Sequence, residues 1–478
     1  MSERSIALTP LMRSAPLLAA LAAGACVPAH AGYAEVQRLG VERLGVKPVW
    51  HQAESAHVAT SSEVKKLLAT PLTADAAVRV AILNSPSLQG SFEDLGGARA
   101  GLVHALRVPN PVASAALRFD GSTRPEIDLS VSEDVTELLY IASRRGIAQA
   151  ELNAATITVV GSLLALAYDV RAAFYRHQAA RQLAELRASA LSSLKASAEV
   201  AESLHTAGNI TDLDLSNEQA LYEEARLAFA GSETELVASR ERLSSLMGLF
   251  GADAAWTAGS RLPELPAADT EFEDLERRSI ANSLDLALIR HRFEAAARKA
   301  NLSRWRGALP ELKAGVSAER QSDWSIGPLV ELELPLFYQG QGETGTALSD
   351  MRRQERNFED VAIRLRAAAR ATAARLSAAR GSAAHYRNVL LPLRARILEA
   401  SEAEYNAMGI GVFQLLEAKR AQIQAGGAFV ELLRDYWLAR ADAEQLLAGR
   451  LPRSDLGAEQ LVREGAQLER GRGGLGQH

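Results

Sequence analysis

Few residues in this sequence have the types and spacing that chemistry requires. Gly340–Gly345 reads GQGETG and matches the GxGxxG pattern of dinucleotide-binding turns. That fold needs a second parallel strand within about 30 residues, whereas the pattern here predicts helix for about 60 residues. No Ser/His/Asp grouping or paired carboxylates suggest catalysis. We therefore expect no enzyme and no cofactor site, and we interpret the turn as a strand-to-helix connection.

Metal ligands are also sparse. The five methionines do not cluster, and no two histidines stand at ligand spacing. The single cysteine, Cys26, excludes an internal disulfide framework and a cysteine-based zinc site. We therefore expect no metal site. The scattered histidines include His104, His177, His205, His291 and His385.

Carboxylates do occur in a regular pattern. Glu331 and Glu333 alternate with apolar residues in the segment 328–337, and Asp128 does so in the segment 127–135. Period-two alternation places apolar side chains on one face of a strand and carboxylates on the other. Two interpretations remain open. In the first, the strands form a soluble sheet with a solvated acidic face. In the second, they form a transmembrane barrel, and these three carboxylates line its water-filled, negative lumen.

The elements that position these residues occur twice, because landmarks recur at an offset of about 201 residues. Each copy reads as a helix, two strands and a long helical hairpin. The first copy covers residues 73–251, with strands at 112–119 and 127–135 and a hairpin at 137–247. The second covers 272–449, with strands at 312–320 and 328–337 and a hairpin at 346–448. The matched pairs are Phe92 and Phe293, Pro109 and Pro310, Val131 and Leu332, Gly208 and Gly409, and Gly248 and Gly449.

The hairpin helices are unusually long. Seventy residues of uninterrupted helix would extend about 105 Å. Pro392 interrupts the second hairpin, as the first residue of a restarted helix or as a kink. The hairpin tips are predicted at Ala207, Gly208 and Asn209, and at Met408, Gly409 and Gly411, with glycine supplying the left-handed backbone. Polar residues follow the tips at Asp212, Asp214, Gln414 and Glu417.

The termini differ from the repeated part. Residues 1–31 resemble a secretory signal that ends in the cleavage motif Ala29–Ala31. Leu21–Cys26 alternatively resembles a lipobox, which would remove residues 1–25 and acylate Cys26, although Ala23 stands where leucine is usual. Both alternatives take the protein out of the cytoplasm. We interpret 32–72 as a linker-like arm, 252–271 as a linker and 450–478 as a mobile tail.

Composition and strand number constrain the architecture. The net charge of −5 indicates no nucleic-acid partner. No segment after the signal has the roughly 18–20 apolar residues of a membrane-spanning helix, so a membrane crossing would require a closed barrel. Four strands cannot close a barrel, which needs at least about eight. Strands in lipid would therefore require several chains, and three chains would supply twelve strands and twelve helical strands.

The chain resembles the TolC-like family of outer-membrane efflux proteins from about Leu72 to Gly449. The resemblance is strongest at LRVPNP (106–111), SVSEDVTELL (130–139) and LELPLFYQGQGE (332–343), while the arm 32–50 looks like that of heavy-metal efflux relatives. The family implies a mainly helical fold with a small β part. The family also implies a homotrimer, in which a 12-stranded outer-membrane barrel continues into a periplasmic α-barrel.

The resemblance also implies a function and sites. It implies passive export of small molecules or metal ions, driven by an inner-membrane pump of the resistance-nodulation-division type through a periplasmic adaptor. The tips would dock the adaptor, and Asp212, Asp214, Gln414 and Glu417 would constrict the aperture unless they are helix caps or solvated residues. Two alternatives stay open: a type I protein-secretion channel, and a secreted coiled-coil structural protein.

Overall fold

The computed structural model describes residues 31–52, 54–119, 125–309, 311–320, 323–333 and 336–452. The predicted signal segment with Cys26 and the tail beyond residue 452 lie outside these ranges. The chain forms two compact units. The first contains the described residues up to Arg38 together with Ser91–Val159 and Leu286–Val361, and the second contains Leu39–Gly90, Val160–Asp285 and the residues from Ala362 onward.

The elements follow the duplicated order that the sequence predicts. Helices α1 (Tyr33–Leu44), α2 (Glu54–Leu68), α3 (Ala74–Asn84) and α4 (Pro86–Ala105) precede the first strands. The first copy continues with β1 (Val112–Arg118), β2 (Glu126–Asp134), α5 (Val135–Thr206) and α6 (Asp212–Leu246). The second copy contains α7 (Leu275–Asn282), α8 (Leu284–Ala308), β3 (Glu311–Arg320), β4 (Trp324–Glu333), α9 (Gln341–His385), α10 (Leu391–Asn406) and α11 (Val412–Leu447).

The segment predicted as a linker-like arm is largely helical. It forms α1 and α2, and within the first unit the ring of Tyr33 lies edge-on to Phe92 with centroids 5.8 Å apart. Val36 on α1 is completely buried. The sequence prediction missed these helices because their apolar positions are few, and burial against the rest of the chain stabilises them instead of intrinsic propensity.

Two helices predicted as continuous are each interrupted. The first breaks between α3 and α4 at Ser85, which has an extended backbone (φ −68°, ψ 119°) because Pro86 disfavours helical geometry in the residue before it. The second breaks between α7 and α8 at Ser283, which adopts nearly the same conformation (φ −65°, ψ 113°) with no proline after it. Both copies therefore contain the same kink. Only in the first copy does a neighbouring residue, Pro86, account for it.

Tertiary hydrogen bonds account for the shared kink. The amide of Asn84 donates to two carbonyls at the end of α6, at 3.0 and 2.8 Å. The amide of Asn282 donates to a carbonyl at the end of α11, at 3.3 Å. In both places the hairpin ends in a glycine with positive φ, Gly248 (69°) and Gly449 (97°). The Asn-Ser pair that precedes each kink is the sequence signal for this contact.

Gly449 is expected to be intolerant of a side chain. A Cβ atom there would lie 2.2 Å from the carbonyl oxygen of Asn282, and φ lies in the left-handed region. We predict that Gly449→Ala lowers the free energy of unfolding by at least about 2 kcal/mol. The matched control is Gly381→Ala on exposed helical surface, where nothing lies within 4 Å of the added methyl and stability should rise by about 0.5–1 kcal/mol. Chemical denaturation of both variants checks this, and equal effects would contradict it.

The long helices occur as predicted. Helix α5 runs for 72 residues without interruption. In the second copy a π-helical turn, Tyr386–Leu390, separates α9 from α10, and Pro392 lies in the first turn of α10. Proline is tolerated there because its missing N–H is not needed early in a helix, and the π turn absorbs the change of register.

The sequence predicts no membrane-spanning helix after the signal, and helix α5 corrects this expectation in part. By length and composition it could span a membrane, and among the described residues it is the single helix that could. However, 61% of its apolar window is buried inside the protein. This burial is typical of a core helix, and its closely spaced alanines and leucines serve contact with neighbouring helices.

The predicted linker 252–271 is packed into the second unit. Trp256 is 2% exposed, and the guanidinium of Arg240 lies over its ring at 4.4 Å. Near the other end, Asp269 accepts a hydrogen bond from Tyr436 at 2.7 Å and pairs with Arg440 at 2.9 Å. The segment between the two copies is therefore part of the core of this unit.

Candidate functional site

The four strands form one antiparallel sheet in the order β1-β2-β3-β4. Asp128 on β2 lies opposite Glu319 on β3, and Glu331 on β4 lies opposite Lys313 on β3. Residues directly opposite each other project to the same face, as do residues two apart on a strand. Asp128, Glu331 and Glu333 therefore share one face of the sheet, which is what their alternation with apolar residues predicts.

This polar face is strongly acidic, with seven carboxylates and two basic side chains. The two basic groups pair locally: Arg118 lies 3.2 Å from Asp128, and Lys313 lies 3.1 Å from Glu311. The face consequently retains an excess of negative charge. Its charged members are Arg118, Glu126, Asp128, Asp134, Glu311, Lys313, Glu319, Glu331 and Glu333.

The opposite face is predominantly apolar and exposed, with Glu133 and Arg320 as its charged members. Leu129, Ile326 and Val330 are 41%, 75% and 67% exposed, respectively. A contiguous apolar surface of this kind indicates contact with lipid or with another protein surface. Its large exposed side chains are Leu117, Leu129, Val131, Val316, Trp324, Ile326, Val330 and Leu332.

Both outer strands of the sheet have one edge without a strand partner among the described residues. These strands are β1 and β4, the first and last in the sheet order. The strand predicted to end at residue 337 ends at Glu333, and Leu336 and Phe337 beyond it are exposed. Unpaired edge groups are a template for strands of another chain.

A polar cluster fixes the junction between the sheet and the long helix. The backbone N–H of Leu312 on β3 donates to the Thr136 hydroxyl at 2.7 Å. Glu137 in the first turn of α5 pairs with Arg144 at 2.9 Å and with Arg306 at 2.7 Å. These roles were not predicted from the sequence. The available signal was the spacing of Glu137 and Arg144, which places both on one face of the helix two turns apart.

Both hairpin tips have the same backbone geometry. In the first tip the N–H of Gly208 donates to His205 O at 2.8 Å, and the N–H of the next residue donates to a carbonyl five positions earlier at 2.8 Å. In the second tip the N–H of Met408 donates to Tyr405 O at 2.9 Å, and the N–H of Gly409 makes the equivalent bond at 2.8 Å. These are Schellman turns, and they align with an offset of 200 residues.

The residue in the left-handed position of the second tip is Met408. Its φ is 61°, and the φ of Gly208 in the first tip is 76°. The predicted match of Gly208 with Gly409 was therefore wrong by one residue, and Gly409 is not among the residues with positive φ. A left-handed conformation costs a residue with a side chain about 1–2 kcal/mol. The conformation of Met408 closes the Schellman turn, and its side chain is 94% exposed.

Two of the four predicted aperture residues act as helix caps. Asp214 accepts from the Thr211 backbone N–H at 3.1 Å, and Thr211 accepts from the Asp214 N–H at 3.2 Å, which completes a capping box. Gln414 accepts from the Gly411 N–H at 3.0 Å. Because glycine has no side chain, only this half of the box exists in the second tip. Hydrogen bonding to Thr211 lowers the pKa of Asp214.

The other two predicted aperture residues also have side-chain partners: Asp212 forms a hydrogen bond with His205, and Glu417 forms an ion pair with Arg420. His205 Nε2 lies 2.6 Å from Asp212 Oδ1, so this pair joins the two helices of the first hairpin across its tip. Glu417 pairs with Arg420, one turn later on α11. No role was predicted from the sequence for His205 or Arg420. Their spacing from the carboxylates, across a turn or one turn along a helix, was the signal available.

The remaining candidate residues do not form a site in the described part of the chain. Gly340, the first glycine of the GxGxxG motif, has a φ of 67° and precedes α9 directly. Across residues 31–452 with their stated gaps, no group of three or more His, Cys, Asp and Glu side chains could hold a metal ion. Cys26, the lipidation candidate, lies outside the described residues.

Comparison with known proteins agrees with this architecture. No family model matches the chain. The chain is 23% identical over 393 residues to the cobalt-zinc-cadmium resistance protein CzcC of Cupriavidus metallidurans, a match that covers 79% of this chain and 90% of the relative.

Solved structures share the fold. A membrane protein from Pseudomonas aeruginosa superposes with a TM-score of 0.67 at 18% identity, covering 85% of this chain and 95% of the other. The outer membrane protein VceC of Vibrio cholerae superposes with a TM-score of 0.64 at 16% identity, covering 82% and 97%. The TolC-like resemblance and the mainly helical fold with a small antiparallel sheet are therefore confirmed.

Proposed function

We propose, from the premise that this chain has the fold of the TolC-like outer-membrane efflux proteins, that it is the outer-membrane channel of a tripartite efflux system. Three copies form a passive conduit that runs from the periplasm through the outer membrane of a Gram-negative bacterium. A periplasmic adaptor connects the conduit to an inner-membrane pump of the resistance-nodulation-division type, and the pump supplies the energy.

The observation that carries this proposal is the sheet. One face is mainly apolar and exposed, the other is acidic, and neither outer edge pairs with another strand in the part of the chain that the structure describes. Lipid is a suitable environment for the apolar face, and water in a lumen is suitable for the acidic face. Open edges are forbidden in lipid, because each unpaired backbone group there costs several kcal/mol. Four strands from each of three chains would close a barrel of twelve and satisfy every edge.

The cargo that we propose is divalent metal cations. The relative from Cupriavidus metallidurans is a cobalt-zinc-cadmium resistance protein, which favours metal efflux over protein secretion for this chain. The acidic polar face also supports a cationic cargo, because carboxylates along a water-filled lumen attract positive ions and repel negative ones.

Complementation tests the proposal. A host that lacks its own outer-membrane channel should regain resistance to cobalt, zinc or cadmium when this chain is expressed with its cognate pump and adaptor. Omission of this chain alone should remove the resistance and leave the metal in the periplasm. If resistance is the same with and without the chain, or if the purified chain is monomeric and water-soluble without detergent, the conduit is excluded.

The same conduit should be cation-selective. We predict that trimers in planar bilayers under a salt gradient show a reversal potential on the cation side. Replacing Asp128, Glu319 and Glu331 by their amides should reduce the ratio of cation to anion permeability by about threefold or more at 0.1 M salt, where screening acts over about 10 Å. Glu264→Gln, outside the sheet, is the control. An unchanged ratio would mean that these carboxylates do not line the path.

A further inference from the structure

Four stretches of chain lie where the sheet meets the helices, and together we call them the junction collar. The collar consists of residues 106–111, 135–145, 304–309 and 336–340. It contains five arginines and one carboxylate, Glu137. The segments that join the strands at the opposite end of the sheet, 119–125 and 321–323, contain one arginine and two aspartates. Positive charge is therefore concentrated at the helical end of the sheet.

The four stretches of the junction collar contact one another. The guanidinium of Arg144 donates to the carbonyl of Arg107 at 3.2 Å, which joins the second stretch to the first. The hydroxyl of Tyr140 donates to the carbonyl of Trp305 at 3.4 Å, which joins the second stretch to the third. Gly307 lies so close to the backbone of the fourth stretch that a side chain there would overlap a carbonyl oxygen. The collar is therefore one continuous surface.

Three exposed arginines supply most of the net positive charge of the collar. Arg107, Arg145 and Arg304 are exposed, and among the residues that the structure describes none of the three forms an ion pair. The other two arginines both pair with Glu137, at 2.9 and 2.7 Å. The single carboxylate of the collar is therefore already neutralised, and the three exposed guanidinium groups are available to an anionic ligand.

Exposed apolar and aromatic side chains lie in the same surface as these arginines. Leu139, Trp305 and Phe337 are 67%, 55% and 96% exposed, respectively. The collar also adjoins the sheet, whose apolar face we place in lipid. Aromatic side chains are enriched where the hydrocarbon of a membrane meets water, and basic residues beside the membrane attract anionic lipids. The collar therefore has the chemistry of a membrane boundary that contains anionic lipid.

We propose that the junction collar binds anionic phospholipids of the leaflet on the periplasmic side, with Arg107, Arg145 and Arg304 contacting their phosphate groups. The inference rests on the proposed function, because that function places the sheet in the outer membrane. Free phosphate would use the arginines but not the exposed apolar and aromatic side chains. A phospholipid uses both, since its phosphate and its acyl chains belong to one molecule.

Native mass spectrometry of detergent-purified trimers, mixed with equal amounts of phosphatidylglycerol and phosphatidylcholine, tests this inference. Wild type should prefer phosphatidylglycerol by about tenfold or more, because each basic residue near a membrane surface contributes about fivefold to the affinity for anionic lipid. Replacing Arg107, Arg145 and Arg304 together by glutamine should abolish the preference. Replacing the same three by lysine should keep most of it, because the charge remains.

The matched control replaces Arg370, Arg394 and Arg396 by glutamine. These arginines are also exposed and form no ion pair with any residue that the structure describes, but they belong to the second unit. The control should keep the wild-type preference. Equal loss in both glutamine variants, or equal binding of the two lipids by wild type, would overturn the inference and leave the conduit intact.

The source of the phosphate is tested by competition. Excess inorganic phosphate should leave phosphatidylglycerol bound to the wild-type trimer. Complete displacement of the lipid would assign the arginines to free phosphate and would overturn the inference. A wild-type chain that is monomeric and water-soluble without detergent would instead exclude the conduit, and the inference would fail with it.

Discussion

We expect Val330→Lys to prevent assembly of the trimer in the outer membrane and Glu331→Lys, one residue further along β4, to permit it. The two positions lie on opposite faces of the sheet: Val330 is 67% exposed on the apolar face, and Glu331 lies opposite Lys313 on the acidic face. A lysine on the lipid face of a membrane barrel costs about 2–4 kcal/mol near the midplane. Three copies in one barrel would multiply this to about 6–12 kcal/mol per trimer.

Fractionated membranes and electrophoresis of unheated and heated samples would measure this effect. Val330→Lys should lose the heat-dissociable trimer from the outer-membrane fraction, and metal resistance should fall with it. Glu331→Lys should keep the trimer and reduce only the cation selectivity. If both variants assemble equally well, the apolar face does not contact lipid. If Glu331→Lys alone fails, the faces are assigned the wrong way round.

Acidification below pH 6.5 should destabilise the second unit through His177. This histidine is 5% exposed, its ring lies 5.2 Å from that of Trp256, and its Nδ1 lies 3.1 Å from the Ser239 hydroxyl. Burial, with a smaller contribution from repulsion by Arg240 and Arg181, lowers the pKa of His177 to about 4. The folded protein therefore keeps this side chain neutral at pH values where the unfolded chain, with a histidine pKa of about 6.5, is protonated.

Proton linkage gives the sign and the size of this change in the free energy of unfolding. Between about pH 6.5 and pH 4 the unfolded state binds more protons, so the free energy of unfolding falls as the pH is lowered. The full contribution is about 3 kcal/mol and saturates below about pH 4. Denaturation of wild type and His177→Gln at pH 7, 5.5 and 4 measures it. The stability difference between the two should shift in favour of the variant as pH falls.

The control is His104→Gln, which removes an exposed histidine at the end of α4. Its stability difference from wild type should not change over the same pH range. If His177→Gln and wild type lose stability in parallel, His177 does not carry the pH dependence, and other buried groups must.

The sequence predicted the elements whose signals are local and repeated. Helix α5, the two strand pairs and the positions of both tips all follow from periodicity, glycine and proline, and the duplication doubles each signal. The alternation around Glu331 predicted the common acidic face with Asp128, because side-chain direction in a strand has a strict period of two. The helices, strands and tips need only neighbours in the chain, whereas the common face of Asp128 and Glu331 also depends on the pairing of β2, β3 and β4.

The structure decided the features that sequence periodicity does not predict, whether their partners are distant or only a few residues away in a turn. The kink at Ser283 has no proline, and it depends on the hydrogen bond of Asn282 to the end of α11. The left-handed residue of the second tip is Met408 and not a glycine, because the closing hydrogen bonds of the turn set the register and override the preference for glycine. Asp214 and Gln414 are caps because each lies three residues beyond its N-cap, a geometry that a shift of one residue would destroy. Local patterns therefore determined which elements exist, and hydrogen bonds, both within the turns and between distant segments, determined where these elements bend and end.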